Sequence, residues 1–149
     1  MPGRDLLAGS PVSEGDTPPT VKDQQDATVT STSTTFEAGS SVCGVAFIAP
    51  TTGRVLVKWK GQLDNTTSGT LLSYRIGTGE TVGGGTELVS PSDIRAITMV
   101  GVDQVAFGAE DLVEGLEPGD VYNVQLMHRT TSGGSATINR RWVIVAPAT

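Results

Sequence analysis

The sequence predicts an all-β fold: an antiparallel β-sandwich, jelly-roll-like, of about eight strands, preceded by an extended N-terminal arm. Three observations predict it. After Phe36 the apolar residues recur with a period of two, the alternation of a half-buried strand. Short apolar runs follow one another at intervals of roughly 8–12 residues with Gly and Pro between them, the spacing of sandwiches and jelly rolls. No segment shows the 3.6-residue apolar period of a crossover helix, so the strands are expected to pair antiparallel. Composition agrees, since 19 Gly and 8 Pro among 149 residues supply the turns.

Composition changes near residue 36 and divides the chain into an arm, 1–35, and a sandwich domain, 36–149. The arm holds Pro2, Pro11, Pro18 and Pro19 and no aromatic residue. Its apolar side chains are sparse, and such a segment cannot offset its own ordering entropy. It is either an unstructured tail or an arm that orders on a neighbouring subunit. In the second case Leu6, Leu7, Val12 and Val21 are its anchors. The Thr/Ser alternation from Ala27 to Phe36 offers a first edge strand.

Within the domain, Val42–Ile48 is an apolar run stopped by Ala49-Pro50, and 51–53 is a turn. Arg54–Lys60 alternates, with Val55, Val57 and Trp59 on one face and Arg54, Lys58 and Lys60 on the other. Residues 61–69 read as a polar loop and Leu71–Ile76 as the next strand. The Gly-rich stretch 77–85 breaks it, and Thr86–Val89 is short. Ile94–Val100 is expected to pair with Val102–Phe107. Asp111–Glu114 is a short strand and Val121–His128 a long one. Ser132–Ser135 is expected as a hairpin turn before Ala136–Val145. Gly115–Tyr122 places a Leu, a Pro-Gly turn and a Tyr at a strand entry, where the hydroxyl is expected to bond back across the turn.

Charge excludes some function classes. The net charge is −6, and the ten Lys and Arg show no cluster beyond Arg140-Arg141. A nucleic-acid binder needs a basic footprint to neutralise phosphates, and anionic membrane surfaces are disfavoured for the same reason. No apolar run approaches the ~20 residues of a membrane span. The N-terminal residues lack the apolar stretch of a signal peptide, so assembly in a cytoplasm is expected.

Chemistry-bearing residues are few. Cys43 lies in a strand-like run and reads as a small core residue. A zinc site needs several Cys or His ligands, and the chain has one of each. His128 reads as a partly exposed strand histidine, with no Gly-x-Ser-x-Gly elbow to serve. Gly77-x-Gly79 and Gly83-Gly84-Gly85 precede no helix and lack the Lys of a phosphate loop, which leaves a β-connection. Asp93, Asp103, Glu110, Asp111, Glu114 and Glu117 stand at turns or solvent-facing positions, without sign of the carboxylate pair of a glycosidase. No catalytic residue, cofactor or metal is expected. Trp59, Trp142, Tyr74 and Tyr122 can serve a core, a subunit contact or a sugar-binding face.

Residues 45–57 (VAFIAPTTGRVLV), 73–86 (SYRIGTGETVGGGT) and 115–129 (GLEPGDVYNVQLMHR) resemble small β-sandwich virion structural proteins of tailed phages infecting actinobacteria, of the minor tail or decoration type. The Met-Pro-Gly start and Pro18-Pro19 fit the same pattern. The resemblance covers most of the chain and implies a non-enzymatic structural domain, located in the virion, whose partners are other tail or capsid subunits. It implies a homo-oligomer, with a trimer as the expectation and Trp59 or Trp142 as a subunit contact. A minor tail or appendage component docked through the arm is the leading expectation. A capsid decoration protein or head fibre, and a carbohydrate-binding host-adhesion module, are the alternatives.

Overall fold

The computed structural model describes residues 17–149. In chain order its strands are β1 (Val21–Gln25), β2 (Val29–Ser31), β3 (Gly44–Ile48), β4 (Val55–Asn65), β5 (Gly69–Thr78), β6 (Glu87–Val89), β7 (Ile97–Val100), β8 (Val105–Val113), β9 (Val121–Thr130) and β10 (Ala136–Pro147). They form two five-stranded antiparallel sheets, and among the described residues the only helical element is a 3-10 turn at Asp93–Arg95. One sheet runs β1–β10–β4–β8, with β2 following β1 along β10. The other runs β3–β9–β5–β6, with β7 following β6 along β5.

The pairing is nested. β1 and β2 meet β10, β3 meets β9, β4 meets β8, and β5 meets β6 and β7. The chain is one long hairpin, rolled so that β10 also meets β4 and β9 also meets β5. This is a jelly roll. β1 with β2, and β6 with β7, each occupy one strand position, which reconciles the ten strands with the smaller number expected.

Nesting also accounts for three departures from the sequence reading. Ile94–Val100 and Val102–Phe107 do not form a hairpin: β7 joins β5, and β8 joins β4 in the other sheet. Asp111–Val113 is the end of β8, not a separate strand. Ser132–Ser135 crosses between sheets and closes no hairpin, because β9 and β10 belong to different sheets. The expected loop at 61–69 shrinks to 66–68, because Leu63 and Asn65 continue the inward alternation of β4. The buried Asn65 amide donates to Gly69 O at 3.1 Å, and its Oδ1 accepts from Thr67 N and Ser68 N. One side chain thus builds the turn.

The core lies between the sheets. Val55, Val57, Trp59 and Leu63 of β4 and Ile138, Val143 and Val145 of β10 face Leu72, Tyr74, Ile76, Val124 and Leu126. Trp59 is fully enclosed: its Nε1 donates to Leu72 O at 3.1 Å across the sandwich, and its ring meets Tyr74 at 4.9 Å. Its ring is a core element, not an exposed face. The corner tyrosine behaves as expected, with Glu117 N–H donating to Tyr122 Oη at 2.9 Å.

The sandwich begins before residue 36. Val21–Gln25 and Val29–Ser31, assigned to the arm by composition, are strands on the free edge of β10. Their polar alternation hides the buried members: Val29 is 2% exposed, and Val21 packs against the core opposite Val145. Val21 is thus a sandwich residue, while Leu6, Leu7 and Val12 lie outside the described residues. Deleting residues 1–31 should remove two strands and cost about 2 kcal/mol or more, since fully burying Val29 contributes roughly 1.5 kcal/mol or more and the partly buried Val21 adds a share of that. Urea unfolding of that truncation against one lacking only residues 1–16 checks this. Equal midpoints would contradict the placement of β1 and β2.

Candidate functional site

Three places on the molecule bring chemistry-bearing residues together: the interior beside β10, the outer face of its sheet, and the margin between β7 and β8. One irregularity of β10 governs the first two. Ile138 opposes Leu63 and Arg141 opposes Gly61, so β10 carries one extra residue at Asn139-Arg140. Such a bulge switches which side chains point inward. Ala136 and Ile138 face the core before it; Arg141, Val143 and Val145 do so after it.

Arg141 is therefore buried completely. Its Nη2 donates to Ser41 O at 2.7 Å, while Nε and Nη1 have no partner among the described residues. Burial lowers its pKa, opposed by Cys43 and Asp23. His128 on β9 is buried as fully, contrary to the exposed position expected, and both ring nitrogens lack a hydrogen bond among the described residues. The segment 33–43 covers it as a strap along β9: Thr130 N donates to Ser33 O, Glu37 and His128 exchange both backbone bonds, and Leu126 N donates to Cys43 O. Gly39, at φ +76°, lies so close that a Cβ there would stand 2.8 Å from His128 Cε1. Only Gly fits both the backbone conformation and the space.

Burial, then the charge of Arg141, pushes the His128 pKa down to about 4, against the pull of Glu37, whose Oε1 lies 3.9 Å from Nε2. Cys43 is buried as expected, and burial followed by Asp23 pushes its thiol up to about 12. A thiol so held stays protonated at neutral pH and is no nucleophile. Among the described residues no group of three or more His, Cys, Asp or Glu can hold a metal ion.

The outer face of the same sheet carries Trp142, half-buried and turned outward by the bulge. In register it lies between Gln24 of β1 and Lys60 of β4. A groove of about 240 Å³ is lined by Gln24, Lys60, Gly61, Gln62, Arg140 and Trp142. Lys22 and Lys58, flanking Ile144 in the next register pair, extend the cationic character of this face.

The third place is apolar. Ile94, Val100 and Val102 are 97%, 78% and 69% exposed, and Val105, Phe107 and Leu112 of β8 are exposed as well. Val105 and Phe107 oppose Leu63 and Gly61 and so point toward the interior side of the sheet. They stay in solvent because β7 ends at Val100 and nothing of the second sheet covers them. Beside them a cleft of about 340 Å³ opens between the sheets, lined by Trp59, Ser92, Ile94, Arg95, Ala109 and Asp111. Asp111 accepts from Tyr74 Oη at 2.6 Å and lies 3.5 Å from Arg95. Burial and that hydrogen bond push the Tyr74 phenol up.

Three of the remaining acids flagged by type serve cations: Asp93 holds Arg129 at 2.6 and 3.1 Å, Glu110 lies 3.7 Å from Lys58, and Glu114 lies 3.7 Å from Arg54. The Gly-rich segment 77–85 is a braced connection. Buried Asn123 donates to Gly77 O and Gly79 O and accepts from Gly83 N. The inward turn of Arg141 and the burial of His128 have no local sequence signal. The apolar margin did have one, the run from Ile94 to Phe107, which was assigned to a hairpin.

The depressed pKa of His128 has a measurable consequence. Between pH 6.5 and about 4 the unfolded chain binds the proton that the fold refuses. Stability is then complete above pH 6.5 and declines as pH falls, by up to roughly 3 kcal/mol. Urea midpoints across that range should show the decline in the wild type and a shallower one in His128→Leu. Parallel slopes would mean that His128 does not titrate as its surroundings require.

No protein-family model and no curated protein matches the sequence. Solved structures do match in fold. A chain of the T13 IBDV viral particle aligns with a TM-score of 0.52 at 10% identity, covering 99% of this chain and 36% of that one. A chain of infectious bursal disease virus, Gx strain, aligns at 0.48 and 10%, covering 89% and 33%. Eiger TNF from S. frugiperda aligns at 0.45 and 9%, covering 88% and 94%. This chain spans about a third of the length of the two viral chains. What it shares with the viral-particle chain is a sandwich fold of the same class.

Proposed function

We propose that this chain is a non-enzymatic structural subunit of a phage particle: a minor tail or appendage component that assembles with copies of itself and docks through its N-terminal residues. The observation that carries the reading is the apolar margin of Ile94, Val100, Val102, Val105 and Phe107. Large apolar side chains left in solvent along one margin mark a surface meant to be covered. The margin coincides with the outer edge of β8, a nine-residue strand that among the described residues pairs only with β4. Its row of free backbone groups is a template for another chain. A second copy of this subunit, arranged about a symmetry axis, is the simplest covering. The jelly roll is a rigid carrier for such contacts, and the fold shared with a viral-particle chain is in keeping with that use. Cys43 and His128 are enclosed in the core, which supports a structural rather than a catalytic reading.

Light scattering on the purified chain should report an oligomer, trimeric if the axis is three-fold, that Phe107→Glu dissociates into folded monomers. A monomeric wild type at working concentrations would overturn self-assembly through this margin. Quantitative mass spectrometry of purified particles tests the location. A low count in multiples of three or six places the protein on the tail or at a vertex. Roughly hundreds of copies would instead make it a capsid decoration protein. Absence from particles would remove the virion reading altogether.

A further inference from the structure

We infer that the outer face of the β1–β10–β4–β8 sheet carries a saccharide site centred on Trp142, and that its ligand is an acidic glycan bearing carboxylates. The site lies across β1, β10 and β4, away from the apolar margin beyond β8, so it stands or falls independently of self-assembly.

The argument begins with the tryptophan. The bulge at Asn139-Arg140 turns Trp142 out of the core onto a sheet face it shares with Lys22, Gln24, Lys58, Lys60, Gln62 and Ile144, with Asp64 and Glu110 farther out along β4 and β8. An indole in such company is neither core nor ordinary surface. Its flat apolar face suits the C–H face of a sugar ring, and its Nε1–H, which has no partner among the described residues, remains free to donate. Gln62 supplies an amide that donates and accepts at the groove wall, and Gln24, whose Nε2 donates to Asp26 Oδ1 at 3.0 Å, offers its amide oxygen, the capacity a ring of hydroxyls requires. Gly61 lends backbone to the lining, while the space a side chain there would take lies in the core against Leu72. At about 240 Å³ it is smaller than a drug-sized pocket and suits one unit of a chain that continues along the face.

Charge selects the class of sugar. The chain carries −6 overall, yet Lys22, Lys58, Lys60 and Arg140, four of its ten Lys and Arg, gather around this groove. Lys58 is 3.7 Å from Glu110, while Lys60 and Arg140 have no ion-pair partner among the described residues. None of the six lining residues is acidic. A cationic patch on an acidic protein favours an anion, and both cations form charge-assisted hydrogen bonds with carboxylates.

Affinity electrophoresis of the full chain in native gels tests the site. Gels carry polygalacturonate as the acidic glycan, dextran as a neutral one, or polyglutamate as a carboxylate polymer without sugar. Polygalacturonate should retard the wild type, and dextran and polyglutamate should do so far less. Trp142→Ala should weaken retention by about tenfold or more, the effect of one lost contact of about 1.4 kcal/mol. Lys60→Gln, an exposed substitution that leaves the fold intact, should do likewise, with melting curves confirming that both variants are folded. The inference is overturned if polygalacturonate does not retard the wild type, or if folded Trp142→Ala is retarded as strongly. It is overturned equally if dextran binds as well as polygalacturonate, or if polyglutamate matches it, which would mean general attraction of a polyanion.

Discussion

The antiparallel ladder between β4 and β10 organises this molecule. It runs from Asn65 opposite Ala136 to Val55 opposite Pro147, joining segments from opposite halves of the chain. Closing so long a loop costs entropy that local structure cannot return. It is recovered only when both strands are flanked, β10 by β1 and β2 and β4 by β8, and when their inner faces meet the second sheet. The same dependence on distant partners explains why β1 and β2, polar by composition, are strands at all. They exist because β10 offers an edge. An all-β chain held together by contacts of this kind is expected to fold as one unit and slowly.

The bulge within that ladder links the interior to the surface. By adding one residue opposite Leu63-Gln62-Gly61 it exchanges the two faces of β10. Arg141 goes into the core and Trp142 goes out, where a regular strand would have placed them the other way. A buried guanidinium with two nitrogens lacking partners is costly, and the surroundings offset part of that cost through Ser41 O and through the Asp23 carboxylate nearby. The strap at 33–43 completes the arrangement by covering His128 and delivering Ser41 to Arg141. The interior cluster is thus bound up with the position of the segment that joins the two sheets.

The two sides of the sheet's outer surface differ in kind. Toward β1 and β10 the outer face is cationic with one indole; at β8 the inward-pointing Val105 and Phe107 form an apolar margin where the second sheet is short. That division leaves room for two contacts on one small domain, one with copies of itself and one with a charged ligand. It follows from unequal strand lengths, four residues in β7 against nine in β8.

Some of this was legible in the chain. The alternation of Val55, Val57 and Trp59 identified a strand and its inner face, because a pleated strand exposes its period directly in the sequence. The Pro-Gly corner with Tyr122, the burial of Cys43 and the all-β class were legible for the same reason: each depends on residues close together in the chain. Strand order was not. Period-two patterning says that a strand has a buried face and nothing about which strand lies beside it, so the hairpins expected at 94–107 and 132–135 were drawn between segments that the roll places in different sheets. The arm boundary failed because Val21 and Val29 pair with partners more than a hundred residues away. Trp59 and Trp142 looked alike in sequence, and a bulge invisible there sent the second outward while the first was enclosed. What the sequence by itself determined was therefore the repeat of inward and outward side chains; which strands met, where the pattern slipped by one residue, and which apolar groups remained uncovered were decided only by tertiary structure, because each depends on long-range pairing that no local pattern encodes.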